Sequence, residues 1–154
     1  MPTYHIRKAT EADIPAVYDL MIALADYEKS AHMVINSRAQ FAEDFRRNAY
    51  QLWVAEQQER IVGMALCYLR YSTWRGQCLY LEDLMVTEAA RGQGIGKALL
   101  DTLIAEAKHQ NYPQIMWQVL DWNAPAIAFY ERLGAVRDPQ WVNCYWENPQ
   151  YKNA

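Results

Sequence analysis

Gly92, Gly94 and Gly96 alternate along "RGQGIGKALL", with Arg91 ahead of them and an amphipathic stretch behind. A helix N-terminus leaves its first backbone N–H groups unpaired, and the helix dipole adds roughly half a positive charge there. Glycines at that point remove the side chains that would hold an anion away, and Arg91 adds a fixed positive charge. The chemistry this spacing offers is a diphosphate cradle built from main-chain amides. It is not a Walker A loop, because Ala98 follows Lys97 where a Mg²⁺-binding hydroxyl would stand. Nor is it a dinucleotide fingerprint, which carries G-x-G-x-x-G in the first βα turn.

A second feature is the acid pair Glu82–Asp83 inside the otherwise apolar "LYLEDLMV". Two carboxylates in such a strand are costly unless partnered or employed. Strand alternation sends them to opposite faces, which suits Asp83 to a strand-end salt bridge and leaves Glu82 for function. His5, His32 and His109 are scattered, and Cys67, Cys78 and Cys144 share no metal-ligand spacing, so no metal is expected.

The elements that must position these residues follow from periodicity. "TYHIRKA" reads as a first strand. Val17, Leu20, Met21 and Leu24 recur at helical spacing in "TEADIPAVYDLMIALADYE", with Thr10 or Asp13 as cap and Pro15 in the first turn. Ser37 caps a second helix over "SRAQFAEDFRR". "QLWVAEQ" and "RIVGMALCYLRYS" form a hairpin across a polar turn, and "QCLYLEDLMV" is the next strand. The glycine loop then opens a helix that presents Ile95, Ala98, Leu99 and Leu103 on one face and ends at "NYP". "QIMWQVLDW" is a strand, "NAPAIAFYERLG" a helix capped by Asn123 and closed by Gly134, and "WVNCYWEN" a last strand. The order β-α-α-β-β-β-α-β-α-β is an α+β fold around one mixed sheet.

The 154 residues suit a single domain with a sizeable core, and the mix of 52% apolar and 21% charged residues is that of a soluble globular chain. A formal net charge of −3 argues against nucleic acid as a partner. The N-terminus lacks the apolar run of a signal peptide, and the longest apolar stretch, Ile61 to Leu69, is too short for a bilayer. With an odd number of cysteines, this points to the cytoplasm.

"LEDLMVTEAARGQGIGKALL" resembles the acyl-CoA-binding signature of the GNAT acetyltransferases, [QR]-x-x-G-x-[GA], with Arg91, Gly94 and Gly96 at its fixed positions. In order, "IRKATEAD", "LADYEK", "LYLEDLMV", "VLDWNAPAIAFYERLGA" and Trp141 resemble the diamine (spermidine/spermine) branch with its thialysine-acetylating relatives. The resemblance implies a GNAT-like fold, a central mixed, mostly antiparallel twisted sheet flanked by helices. It implies acetyl-CoA as co-substrate, with the amides of Gln93, Gly94, Ile95, Gly96 and Lys97, beside Gly92, on the diphosphate. The backbone of Leu84, Met85 and Val86 would meet the pantetheine arm, and Asn123, Ala124, Pro125, Ala126 and Tyr130 would also face the coenzyme.

Such a site must transfer an acetyl group to an amine that arrives as an ammonium of pKa about 10. Glu82 is the candidate for removing that proton, directly or through a water. Tyr130 sits at amphipathic core spacing, and on pattern alone it is a core residue; the resemblance makes it the general acid toward the thiolate. Strand amides beside the thioester could stabilise the oxyanion. For the acceptor, the resemblance points to Tyr27 and Glu28, and to Met116, Trp117 and Gln118. The branch carries an acid in "YDPW" where this chain has "YSTW", with Ser72 and Thr73, and its acidic stretch before the late Trp is "RDPQW" here. The acceptor is therefore open among diamines, polyamines and thialysine-like amines. Acetylation of protein lysines or N-termini and a non-catalytic acyl-CoA-binding module are the alternatives, and the presence of both Glu82 and Tyr130 favours an enzyme. A homodimer is expected, with "WVNCYWENPQY" supplying aromatic surface.

Overall fold

The computed structural model describes residues 3–152 and divides the chain into two compact units, Met1–Trp117 and Gln118–Ala154. In the first, β1 (His5–Lys8) leads through a 3₁₀ turn into α1 (Ile14–Tyr27), then α2 (Arg38–Arg46). β2 (Gln51–Gln57), β3 (Arg60–Ser72) and β4 (Gly76–Val86) follow, then α3 (Ile95–His109) and the two-residue β5 (Ile115–Met116). The sheet order is β1-β2-β3-β4-β5, antiparallel throughout except for the parallel β4–β5 pair.

One sheet face carries Leu52, Val54, Met64, Leu66 and Met85, packed with Ile14, Val17 and Leu20 of α1 and Phe41 of α2. Burying each such side chain is worth about 2 kcal/mol, which holds the two helices down. α3 packs on β2, β3 and β4, with Leu99 and Leu103 wholly buried. Ser37 caps α2 by accepting from Gln40 N at 3.1 Å. The start of α1 is fixed by Arg7, whose guanidinium donates to Asp13 at 2.7 and 2.9 Å and to Glu56 at 2.9 Å.

In the second unit, α4 (Ala124–Arg132) is capped by Asn123, whose side chain accepts from Ala126 N at 3.4 Å. Gly134 closes it with φ +85°. Two expectations fail. The strand expected over 114–122 is reduced to β5, and 141–148 forms no strand at all, leaving Trp141, Val142, Tyr145 and Trp146 exposed. Strand-forming residues are not enough; a ladder also needs an adjacent edge in register.

Candidate active site

The glycine loop takes the conformation its composition allows. Gly92 and Gly94 have φ of +77° and +81°, the left-handed region that side-chain-bearing residues avoid, and Gly94 is the N-cap of α3. The first intrahelical bond runs from Ala98 N to Gly94 O, so the amides of Ile95, Gly96 and Lys97 have no partner within the helix. Arg91 is exposed beside them, held by its Nε donating to Val86 O at 3.1 Å. Lys97 forms a 2.6 Å ion pair with Asp101 one turn on, and Gln93 accepts from Gln57 at 2.9 Å. Ile95 is buried, so it offers only its amide. This donor set, left-handed glycines and free amides beside a cation with no carboxylate partner among the described residues, fits a diphosphate.

Just upstream, Leu84, Met85 and Val86 pair with Ala65, Met64 and Gly63 on β3. The β4–β5 ladder covers only Leu79 and Tyr80, so among the described residues no strand pairs with 84–86 on their other side. Apart from the Val86 carbonyl, which accepts from Arg91, that edge has no strand partner among the described residues, which fits an extended pantetheine chain running to the cradle.

The register of β4 overturns the expectation for its two acids. Asp83 stands opposite Leu66, yet Cys67 stands opposite Leu81, so Glu82 is the extra residue of a β-bulge. A bulge interrupts alternation. Tyr80, Glu82 and Asp83 therefore share the α1–α2 face, and both acids line one groove of about 350 Å³ together with Met21, Met33, Phe41 and Leu66. Asp83 makes no salt bridge among the described residues. A second groove, of about 220 Å³, shares Asp83 and Met21 and adds Glu28 from the end of α1.

Electrostatics reflect that convergence. Burial first, then the charges of Glu82 and Glu28, push the Asp83 carboxyl up to about 6. Burial and Glu82 likewise raise Glu28 above its ordinary value. Tyr68 and Tyr80, a cross-strand pair with ring centres 5.1 Å apart, are raised by burial and then by Glu82. Three carboxylates thus stand over an apolar floor, Glu82 the most exposed of them.

Tyr27 is exposed at the end of α1, with the Arg91 guanidinium over its ring. Met116 pairs with Tyr80 across the sheet, and Trp117 follows it, half-buried. Ser72 holds the β3–β4 turn, since its Oγ accepts from Trp74 N and Arg75 N at 3.3 and 3.2 Å; Thr73 is exposed within that turn. In the second unit, Asn123 caps α4, Ala124, Pro125 and Ala126 form its first turn, and Tyr130 is half-buried with its ring 5.3 Å from Phe129. Gln118 donates to Asn143 at 2.6 Å. Sequence reasoning missed that Asp83 shares a face with Glu82, Tyr68 and Tyr80, since only the bulge brings it there. Among the described residues, no helix is long and apolar enough to cross a membrane, and no group of His, Cys, Asp and Glu is placed to hold a metal ion.

Residues 14–135 match the model of the acetyltransferase (GNAT) family. The chain is 37% identical over 145 residues to a thialysine N-epsilon-acetyltransferase of Mus musculus, covering 88% of this chain and 85% of that relative. It is 34% identical over 85 residues to an L-ornithine N5-acetyltransferase of Arabidopsis thaliana, covering 54% and 37%. An aminoglycoside acetyltransferase from an uncultured soil metagenomic sample shares the fold, with a TM-score of 0.79 at 20% identity over 95% of this chain and 97% of that one.

Proposed function

This chain belongs to the GNAT acetyltransferase family and is an acetyl-CoA-dependent N-acetyltransferase, and from that premise we propose that its acceptor is the primary amine of a small molecule. A diamine, a polyamine and a thialysine-like amino acid are the candidate acceptors. The observation that carries this reading is the bulge at Glu82, which turns Glu82 and Asp83 into one groove beside Glu28. Three carboxylates suit an alkylammonium, and the apolar wall suits its methylenes. The thialysine and ornithine acetyltransferases among its relatives support the same class.

In this reading the amides after Gly94, with Arg91, hold the diphosphate, and the strand edge at 84–86 aligns the arm that ends in the thioester. Acetyl-CoA, when bound, would supply the acetyl group, its C–S bond breaking as the amine's C–N bond forms and the coenzyme sulfur departing as a thiolate. Asp83 and Glu28 hold the ammonium; Glu82 takes its proton, directly or through a water, and frees the lone pair that attacks. Tyr130 returns a proton to the departing sulfur. Asn123 caps α4 and so fixes the helix that carries Tyr130. Tyr27, Met116, Trp117 and Gln118 shape the acceptor side.

The family match crosses the boundary between the two units, which supports their acting as one acetyltransferase domain. We also propose a cytoplasmic homodimer that needs no metal. Trp141, Val142, Tyr145 and Trp146 are 74–84% exposed along one segment, and large apolar side chains exposed close together in sequence suit a partner surface. Sedimentation of the purified protein would show a mass near 36 kDa, twice the 18.0 kDa chain, and a single-chain mass would refute the dimer.

The test of function is CoA release on acetyl-CoA with diamines, polyamines, thialysine, free amino acids and a lysine-containing peptide. Release with one of the small amines is expected. Release with the peptide alone, or with none, would overturn the reading.

A further inference from the structure

We infer that Asp44 is a specificity-determining residue, which holds a second, distal ammonium of the acceptor. The inference rests on the small-amine reading and deepens it. Asp44 projects from α2 and lines the same groove as Glu82 and Asp83, with Met21, Met33, Phe41 and Leu66 supplying apolar wall. The groove thus has carboxylates from two different elements, β4 and α2. Among the described residues no Lys, Arg or His lines it.

The Asp44 carboxylate is left partly unsatisfied. Its Oδ1 accepts from Gln40 Nε2 at 2.8 Å, while Oδ2 has no hydrogen-bond partner among the described residues. The neighbouring cations are engaged elsewhere: Arg46 pairs with Glu11 and Glu43, and Arg47 with Glu43. Tyr50, which also lines the groove, gives its hydroxyl hydrogen to Phe41 O at 2.8 Å and stacks on the Phe41 ring at 5.1 Å. Nothing in the groove wall therefore neutralises Asp44, and a ligand cation can.

An acceptor with an ammonium at each end satisfies both sets of acids and lays its methylenes on the apolar wall. A monoamine leaves Asp44 facing an alkyl end. An α-carboxylate at the far end meets a like charge and finds no cation to pair with. The groove thereby ranks acceptors: a diamine first, its monoamine analogue below it, and the corresponding α-amino acid penalised by its carboxylate.

The test compares the parent with Asp44→Asn and Asp44→Glu on 1,5-diaminopentane, 1-aminopentane and lysine. The parent should favour the diamine over the monoamine in kcat/KM, and over lysine. Asp44→Asn should cut the diamine-to-monoamine ratio about fivefold, the scale of one solvent-exposed ion pair, with the loss in KM rather than kcat. Asp44→Glu should recover most of it. An unchanged ratio in Asp44→Asn, or equal losses on both amines, would overturn Asp44 as an anchor and leave the small-amine reading standing. Absence of CoA release with all three amines in the parent would overturn that reading and the anchor with it.

Discussion

The guanidinium carbon of Arg91 lies 5.7 Å from the centre of the Tyr27 ring. Tyr27 ends α1 and precedes Glu28, which lines the second groove, while Arg91 opens the glycine loop. This cation–π contact joins the rim of the proposed acceptor site to the rim of the proposed coenzyme site, and a contact of this type is worth about 1 kcal/mol. Together with the bond to Val86 O it fixes the cation that the loop leaves without a carboxylate partner among the described residues.

Arg91 and Lys97 therefore differ in expected effect. Arg91→Ala should weaken coenzyme A binding about tenfold by calorimetry, since it removes the loop's cation that has no carboxylate partner among the described residues. Lys97→Ala should change affinity less than about threefold, because its ammonium is already paired with Asp101. Gly94→Ala should lower both affinity and melting temperature, since a left-handed alanine costs about 1–2 kcal/mol. Equal effects of Arg91→Ala and Lys97→Ala would contradict this cradle.

Tyr130→Phe keeps the ring contact with Phe129 and removes only the hydroxyl. If that hydroxyl protonates the sulfur, turnover should fall about a hundredfold or more while coenzyme A affinity stays within about threefold. Glu82→Gln should move the pH–rate profile upward, toward the pKa of about 10 at which the amine deprotonates unaided. An unmoved profile would assign the base elsewhere.

Most elements are legible in the sequence because they are local. The alternation in 51–57, the polar turn after it and the Ser37 cap carry their own signals, and β2, β3 and α2 fall where these place them. Glu82 shows where that ends. Nothing in "LYLEDLMV" marks one residue as unpaired, because register belongs to two strands and not to one. The same reason undid 141–148, whose aromatic and β-branched residues favour a strand that no neighbour completes in this chain. The candidate acids were therefore visible as residue types, while their convergence on one face was not.

Asp13 provides an acid-stability test independent of function. Hydrogen bonds from Arg7, aided by Thr10 and opposed by burial, hold its carboxyl down to about 2. The unfolded value is about 3.9, so the folded state binds fewer protons between the two. The resulting stabilisation, about 2 kcal/mol, is fully present above about pH 4 and lost as pH falls through about 2. Asp13→Asn should reduce stability in urea by about that amount at pH 7, and the gap should close at the acid end.

Asp83 has the opposite sign. Its carboxyl, pushed up to about 6, binds its proton more tightly when folded than when unfolded. Stability should therefore fall as pH rises from about 4 to about 6 and stay reduced above it, by about 2 kcal/mol. Asp83→Asn removes that cost, so the variant should unfold at higher urea than the parent at pH 8 and match it near pH 4. A cationic acceptor in the groove offsets part of the same cost, which burial sets first and the charges of Glu82 and Glu28 add to. At pH 8, 1,5-diaminopentane should then raise the melting temperature of the parent more than that of Asp83→Asn. A variant no more stable than the parent at pH 8 would show that neither burial nor its acidic neighbours penalise the Asp83 carboxylate, and would remove the electrostatic reason for placing the ammonium there.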